Sequence, residues 1–132
     1  MIGRITTTGT FTEFPIPTPG SYPVGIAAGP DGAMWFTESG RNKIGRITTG
    51  GAFTEFPIPT PNTTPYELAA GSDGALWFTE FDGNRIGRVS IRGVVVESPA
   101  PQGGPWGIAA GPNGSMWWTE FRGTKIGAIH LG

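Results

Sequence analysis

The chain of 132 residues has no cysteine. Disulfides, thiolate catalysis and zinc–thiolate centres are thereby excluded. It has one histidine, His130, so no two-histidine metal site forms within one copy. Charge is scarce as well: 14% of residues are charged, and the formal net charge is −1. Such a chain offers no electrostatic footprint for nucleic acid. It contains no basic amphipathic stretch for a membrane surface, and no apolar run near the ~18 residues of a membrane span. The start, Met-Ile-Gly-Arg-Ile, lacks the basic and apolar regions of a signal peptide. A soluble chain is expected, with its compartment open.

What is abundant is turn punctuation: 23 glycines and 13 prolines. An aperiodic chain of that composition is usually disordered, but this one is periodic. Ile-Gly-Arg-Ile begins at Ile2 and Ile44, Ile-Gly-Arg-Val at Ile86, and Ile-Gly-Ala-Ile at Ile126. Residues 2–43 and 44–85 are identical at 28 of 42 positions. This near-identity points to recent duplication or to an engineered fragment.

Each unit divides into four short β segments. The first is Gly25-Ile26-Ala27-Ala28, repeated near 67–70 and 107–110. Across an Asp-Gly or Asn-Gly turn follow Met34-Trp35-Phe36-Thr37-Glu38, Leu76-Trp77-Phe78-Thr79-Glu80 and Met116-Trp117-Trp118-Thr119-Glu120. Such turns between apolar runs mark hairpins. The third and fourth segments are Lys43–Ile47 and Ala52–Phe56, with their repeats. Apolar residues nowhere recur at helical spacing.

Four antiparallel strands every 40 to 42 residues make the unit of a β-propeller. Adjacent aromatics (Trp35-Phe36, Trp77-Phe78, Trp117-Trp118) point to opposite faces of a sheet, so both faces must be dry. That is the situation of a blade between two neighbours; a β-solenoid is the alternative. The strands, A innermost to D outermost, read as C-D over 1–20, blades over 21–61 and 62–101, and A-B-C over 102–132.

Three blades' worth of chain cannot close a ring. Head-to-tail association of two copies gives six blades, and three copies give nine. The strand near Phe11–Phe14 would supply the missing outer strand of the last blade. One third strand, Ile2–Thr6 or Ile126–His130, is then redundant.

The order Gly-Pro-Asp-Gly, Trp-Phe-Thr-Glu, Asn-Lys-Ile-Gly-Arg-Ile resembles the repeat of the streptogramin B (virginiamycin B) lyase family, over the whole chain. The resemblance implies a seven-bladed enzyme that opens a cyclic depsipeptide by elimination at its ester, using Mg²⁺ and a histidine base. Here the positions matching that histidine are Val24, Tyr66 and Trp106, none of them a base near neutral pH. The family's acidic residue is retained as Glu38, Glu80 and Glu120.

No catalytic constellation is therefore expected. The candidate ligand site is the channel mouth: Val24, Tyr66, Trp106 and the nearby Glu67. Glu38, Glu80 and Glu120, at the same rim, are candidate ligands for Mg²⁺ or Ca²⁺. The alternative for each glutamate is an ion pair with Lys43, Arg85 or Lys125. Arg4, Arg46 and Arg88 are expected to pair with Glu13, Glu55 and Glu97. Asp31, Asp73 and Asn113 are turn residues, and His130 is expected at the surface or in an interface. The functional expectation is a non-catalytic, self-assembling propeller module whose only partner is itself. A lyase-like enzyme with Mg²⁺, or a scaffold that binds proteins through its loops, are the alternatives.

Overall fold

The computed structural model describes residues 1–101 and 103–131. The described residues form thirteen strands, with one turn of 3-10 helix at Pro112–Gly114. β1 (Ile2–Ile5) and β2 (Phe11–Phe14) form a two-stranded sheet. β3 (Pro23–Ala28), β4 (Met34–Glu38), β5 (Lys43–Ile47) and β6 (Phe53–Pro57) form a four-stranded antiparallel sheet in chain order. β7 (Pro65–Ala70), β8 (Leu76–Glu80), β9 (Arg85–Val89) and β10 (Val95–Pro99) repeat it. β11 (Pro105–Ala110), β12 (Ser115–Glu120) and β13 (Ile126–His130) form a three-stranded sheet. These are propeller blades: the inner strands β3, β7 and β11 lie side by side. No helix among the described residues is long and apolar enough to cross a membrane.

The adjacent aromatics explain the packing. Trp35 joins Leu68, Leu76 and Phe78 in the core between the first and second full blades. Its neighbour Phe36 turns the other way, to Ile2 and Ile47. Trp77 packs with Met116 and Trp118 between the second full blade and the three-stranded one. Side chains therefore fill both faces of each middle sheet, as period-two alternation requires.

Glycine is needed where a ring lies on the strand. A Cβ on Gly45, Gly87 or Gly127 would collide with Phe36, Phe78 or Trp118. Each glycine is the cross-strand partner of that aromatic.

The arc is not dry at its ends. Trp117 is 44% exposed, whereas its repeat Trp35 is fully buried. At the opposite end Ile26 is 50% exposed, whereas its repeat Leu68 is 5% exposed.

Candidate functional site

The rim is built from the entry of each inner strand and the exit of its hairpin partner. Pro23, Pro65 and Pro105 are the register partners of Glu38, Glu80 and Glu120. The pairing is irregular between Pro23 and Ile26, Pro65 and Leu68, and Pro105 and Ile108. Val24, Tyr66 and Trp106 sit within these irregularities, where backbone groups lose their ladder partners.

The threonine of Trp-Phe-Thr-Glu repairs the ladder. Thr37 Oγ1 accepts from the Gly25 amide at 2.9 Å and donates to the Tyr66 carbonyl at 2.7 Å. Thr79 Oγ1 accepts from the Glu67 amide at 3.1 Å and donates to the Trp106 carbonyl at 2.8 Å. One buried hydroxyl thus holds its own strand and the next blade together. Thr119 accepts from the Gly107 amide at 3.0 Å but stands at the open end of the arc.

Tyr66 and Trp106 meet with ring centroids 3.9 Å apart. Two residues that sequence reasoning missed complete the cluster. Phe121 stacks on Trp106 at 4.7 Å, and Phe81 meets Trp106 edge-on at 5.2 Å. Arg122 lies over the Phe81 ring and pairs with Asp82 at 3.5 Å. The available signal was an aromatic directly after Thr-Glu in these two units, where the first unit has Ser39. Phe121 is 65% exposed, so the cluster presents an open apolar surface. Val24 stands apart from it, 42% exposed. Glu67 has its carboxylate beside Gly25 of the neighbouring blade.

The rim glutamates behave otherwise. Glu38 and Glu80 are fully buried, and among the described residues neither carboxyl has a hydrogen-bond partner; the Thr63 hydroxyl lies beside Glu80 but donates to Asn42 at 2.8 Å. Each instead faces an outer-strand acid, Glu55 and Glu97 respectively. Burial first, then that acid, pushes Glu38 and Glu80 up to about 8. Burial would also raise Glu55, but Thr18, Glu38 and Lys43 outweigh it and hold it below the usual range. One proton shared within each pair supplies the missing hydrogen bond.

The ion pairs differ from expectation. Lys43 reaches Glu55 at 3.7 Å rather than Glu38. Arg46 and Arg88 pair with Asp31 and Asp73, at 2.8 and 2.9 Å, not with Glu55 and Glu97. The same aspartates accept from the indoles of Trp35 and Trp77. Each turn acid is thus fixed from two sides, and its turn bonds leave it no call for a metal. Arg4 donates to the Thr49 carbonyl rather than pairing with Glu13. His130 is exposed and lies 3.2 Å from the Ser115 hydroxyl.

Among the described residues no group of three or more His, Cys, Asp or Glu is placed to hold a metal ion. Glu38 and Glu80 are already committed to another acid, with a lysine or arginine nearby, so these residues do not fit Mg²⁺.

Comparison with known proteins is consistent with this architecture. The model of the virginiamycin B lyase family matches residues 1–132. A selenomethionine-substituted virginiamycin B lyase from Staphylococcus aureus is 46% identical, with TM-score 0.93 over 96% of this chain and 44% of that one. A streptogramin B lyase structure is 44% identical, with TM-score 0.95 over 98% and 44%. A catalytically inactive histidine-to-alanine variant of the S. aureus lyase, with quinupristin, is 45% identical, with TM-score 0.94 over 98% and 45%. The chain spans less than half the length of each. No functionally curated protein matches it.

Proposed function

The chain belongs to the virginiamycin B lyase family, and from that premise we propose that it is a non-catalytic, self-associating propeller module. Two copies join head to tail into six blades, and the channel mouth takes an apolar, ring-bearing ligand. The observation that carries this reading is the mismatch in exposure at the two ends. Trp117 and Ile26 are half exposed, and their repeats Trp35 and Leu68 lie in one buried core. Trp117 of one copy set against Ile26 and Met34 of the next would reproduce that core. Thr119 would then donate to the Val24 carbonyl of the next copy, as Thr37 and Thr79 do to Tyr66 and Trp106.

The ligand reading rests on Tyr66, Phe81, Trp106 and Phe121. Aromatic faces at a concave mouth suit stacking on apolar rings. One solved relative contains quinupristin, which makes it the first probe. A second reading, lyase-like elimination, is favoured by the 44–46% identity to lyases. It lacks a base at Val24, Tyr66 and Trp106.

Light scattering on a sizing column tests the assembly, with two chains expected; three would give nine blades, and a stable monomer would overturn it. Quinupristin titration followed by tryptophan fluorescence tests the mouth. Saturable binding weakened by Trp106→Ala is expected. Ring opening seen by mass spectrometry would replace this reading with the second.

A further inference from the structure

The acid pairs of the two full blades have unpaired halves at the two ends of the arc. Glu55 and Glu97 lie on outer strands, each opposite a third-strand glycine, Gly45 or Gly87. Glu13 stands in the same register, opposite Gly3, but its sheet has only two strands and Glu13 is exposed. At the other end, Glu120 matches Glu38 and Glu80 on a second strand, and its sheet has three strands among the described residues. Its carboxylate sits against Gly103 and Gly123, 8% exposed, and no strand among the described residues sets an acid opposite it. The arc therefore carries one donor half and one acceptor half of the motif that it completes twice internally.

We propose that association builds this motif a third time, with Glu13 of one copy facing Glu120 of the next and one proton shared between them. The proposal rests on the head-to-tail reading and adds a site that neither copy has alone. It does not depend on which redundant strand is kept. The composite blade takes its second strand, with Glu120, from one copy and its fourth, with Glu13, from the other. Only the third strand, β13 or β1, is in question.

The charged groups around the pair follow from the repeat. Lys125 precedes β13 as Lys43 begins β5, so its ammonium faces the pair if β13 is kept. Met1 holds that position if β1 is kept, and its side chain brings no charge to the pair. In the full blades Lys43 and Arg85 oppose the upward displacement of Glu38 and Glu80 without cancelling it. Arg122 is engaged by Asp82, and Arg4 by the Thr49 carbonyl. His130 lies at the far end of its hairpin, opposite Ser115.

Desolvating the two carboxylates together is unfavourable unless one is protonated. Association therefore takes up a proton wherever the free acids are ionised. Its dissociation constant rises with pH, by up to about tenfold per unit for each seam. The rise starts above the ordinary glutamate range and ends where the assembled pair loses its proton. The internal pairs are present in free and associated chains alike, so they cancel from this slope.

Sedimentation velocity from about pH 5 to about pH 8 tests this on the wild-type chain, Glu13→Gln and Glu120→Gln. Tryptophan fluorescence confirms that each species is folded. Glu13 is exposed in the single chain, so Glu13→Gln leaves the fold undisturbed. An amide facing a carboxylate replaces the shared proton. Both variants are expected to associate with a nearly flat pH profile, while the wild type weakens by tenfold or more. An equal slope in all three would assign the titration to another group and overturn the acid pair. A flat wild-type profile would overturn it too. In either case the head-to-tail reading stands. No association of the wild type at any pH would overturn that reading and the pair with it.

Discussion

Glu38 and Glu55 face each other within one blade although both are acids, and Lys43 approaches Glu55 rather than Glu38. Lys43 is the cross-strand partner of Glu38, and Gly45 that of Glu55. The pair therefore lies diagonally over the third strand, on the face that Gly45 leaves without a side chain. Glu80 and Glu97 repeat it around Arg85 and Gly87.

This relationship fixes the sign of a pH effect on stability. Glu38 and Glu80, raised to about 8, stay protonated in the native state at neutral pH. In the unfolded chain they ionise near 4.5. The native state thus binds more protons, and stability falls as pH rises from about 4.5 to about 8. The steepest slope is of order 1 kcal/mol per pH unit for each group. Urea unfolding at several pH values should show the decline, and Glu38→Gln with Glu80→Gln should flatten it. A stability that rises over this range would contradict the shared-proton arrangement.

Gly87 should tolerate no side chain. A Cβ there would strike the ring of Phe78, which is fully buried between two blades and has no room to withdraw. Gly87→Ala is expected to lower stability by about 1–3 kcal/mol through overpacking. Gly3, which has open space at its Cβ, serves as the control. Thermal melts of Gly87→Ala and Gly3→Ala should differ by several degrees.

The architecture was legible because the repeat carries it. Adjacent Trp and Phe require two dry faces, and Trp35 and Phe36 do enter two different cores. The rim was legible from hairpin order, which brings Pro23 beside Glu38. The ion pairs were not. Arg46 and Glu55 lie on neighbouring strands, but Glu55 is opposite Gly45, one residue out of step. Arg46 instead reaches Asp31, in the turn that precedes its partner strand. The acid pairs were hidden because sequence assigns opposite charges to one another by default. Only the diagonal across Gly45 shows two carboxylates meeting.

Thr79 and Thr119 are the same residue of the repeat in two settings. Thr79 is fully buried and bonds the Glu67 amide and the Trp106 carbonyl. Thr79→Val should cost about 1–3 kcal/mol, the penalty for leaving buried polar groups unpaired. Thr119→Val removes one exposed hydrogen bond and should change single-chain stability by less than about 1 kcal/mol. Denaturant titrations in dilute solution separate the two. Equal losses would mean that the inter-blade bond of Thr79 contributes nothing.

The tryptophans give the same contrast with larger side chains. Trp77 is 6% exposed, packed between blades with Met116 and Trp118. Trp77→Ala leaves a cavity there and strands Asp73, whose carboxylate it shares with Arg88. A loss of about 3–5 kcal/mol is expected, sufficient to unfold a marginal chain. Trp117, 44% exposed at the end of the arc, has only half of that burial to lose. Trp117→Ala should therefore keep its fold in dilute solution while abolishing association, because the face it leaves is the one a second copy would cover. Melting curves at low and high protein concentration distinguish the two effects. The wild type should melt higher when concentrated, and Trp117→Ala should melt at one temperature throughout. If Trp117→Ala retains the concentration dependence, the end face of the three-stranded blade is not where the copies meet.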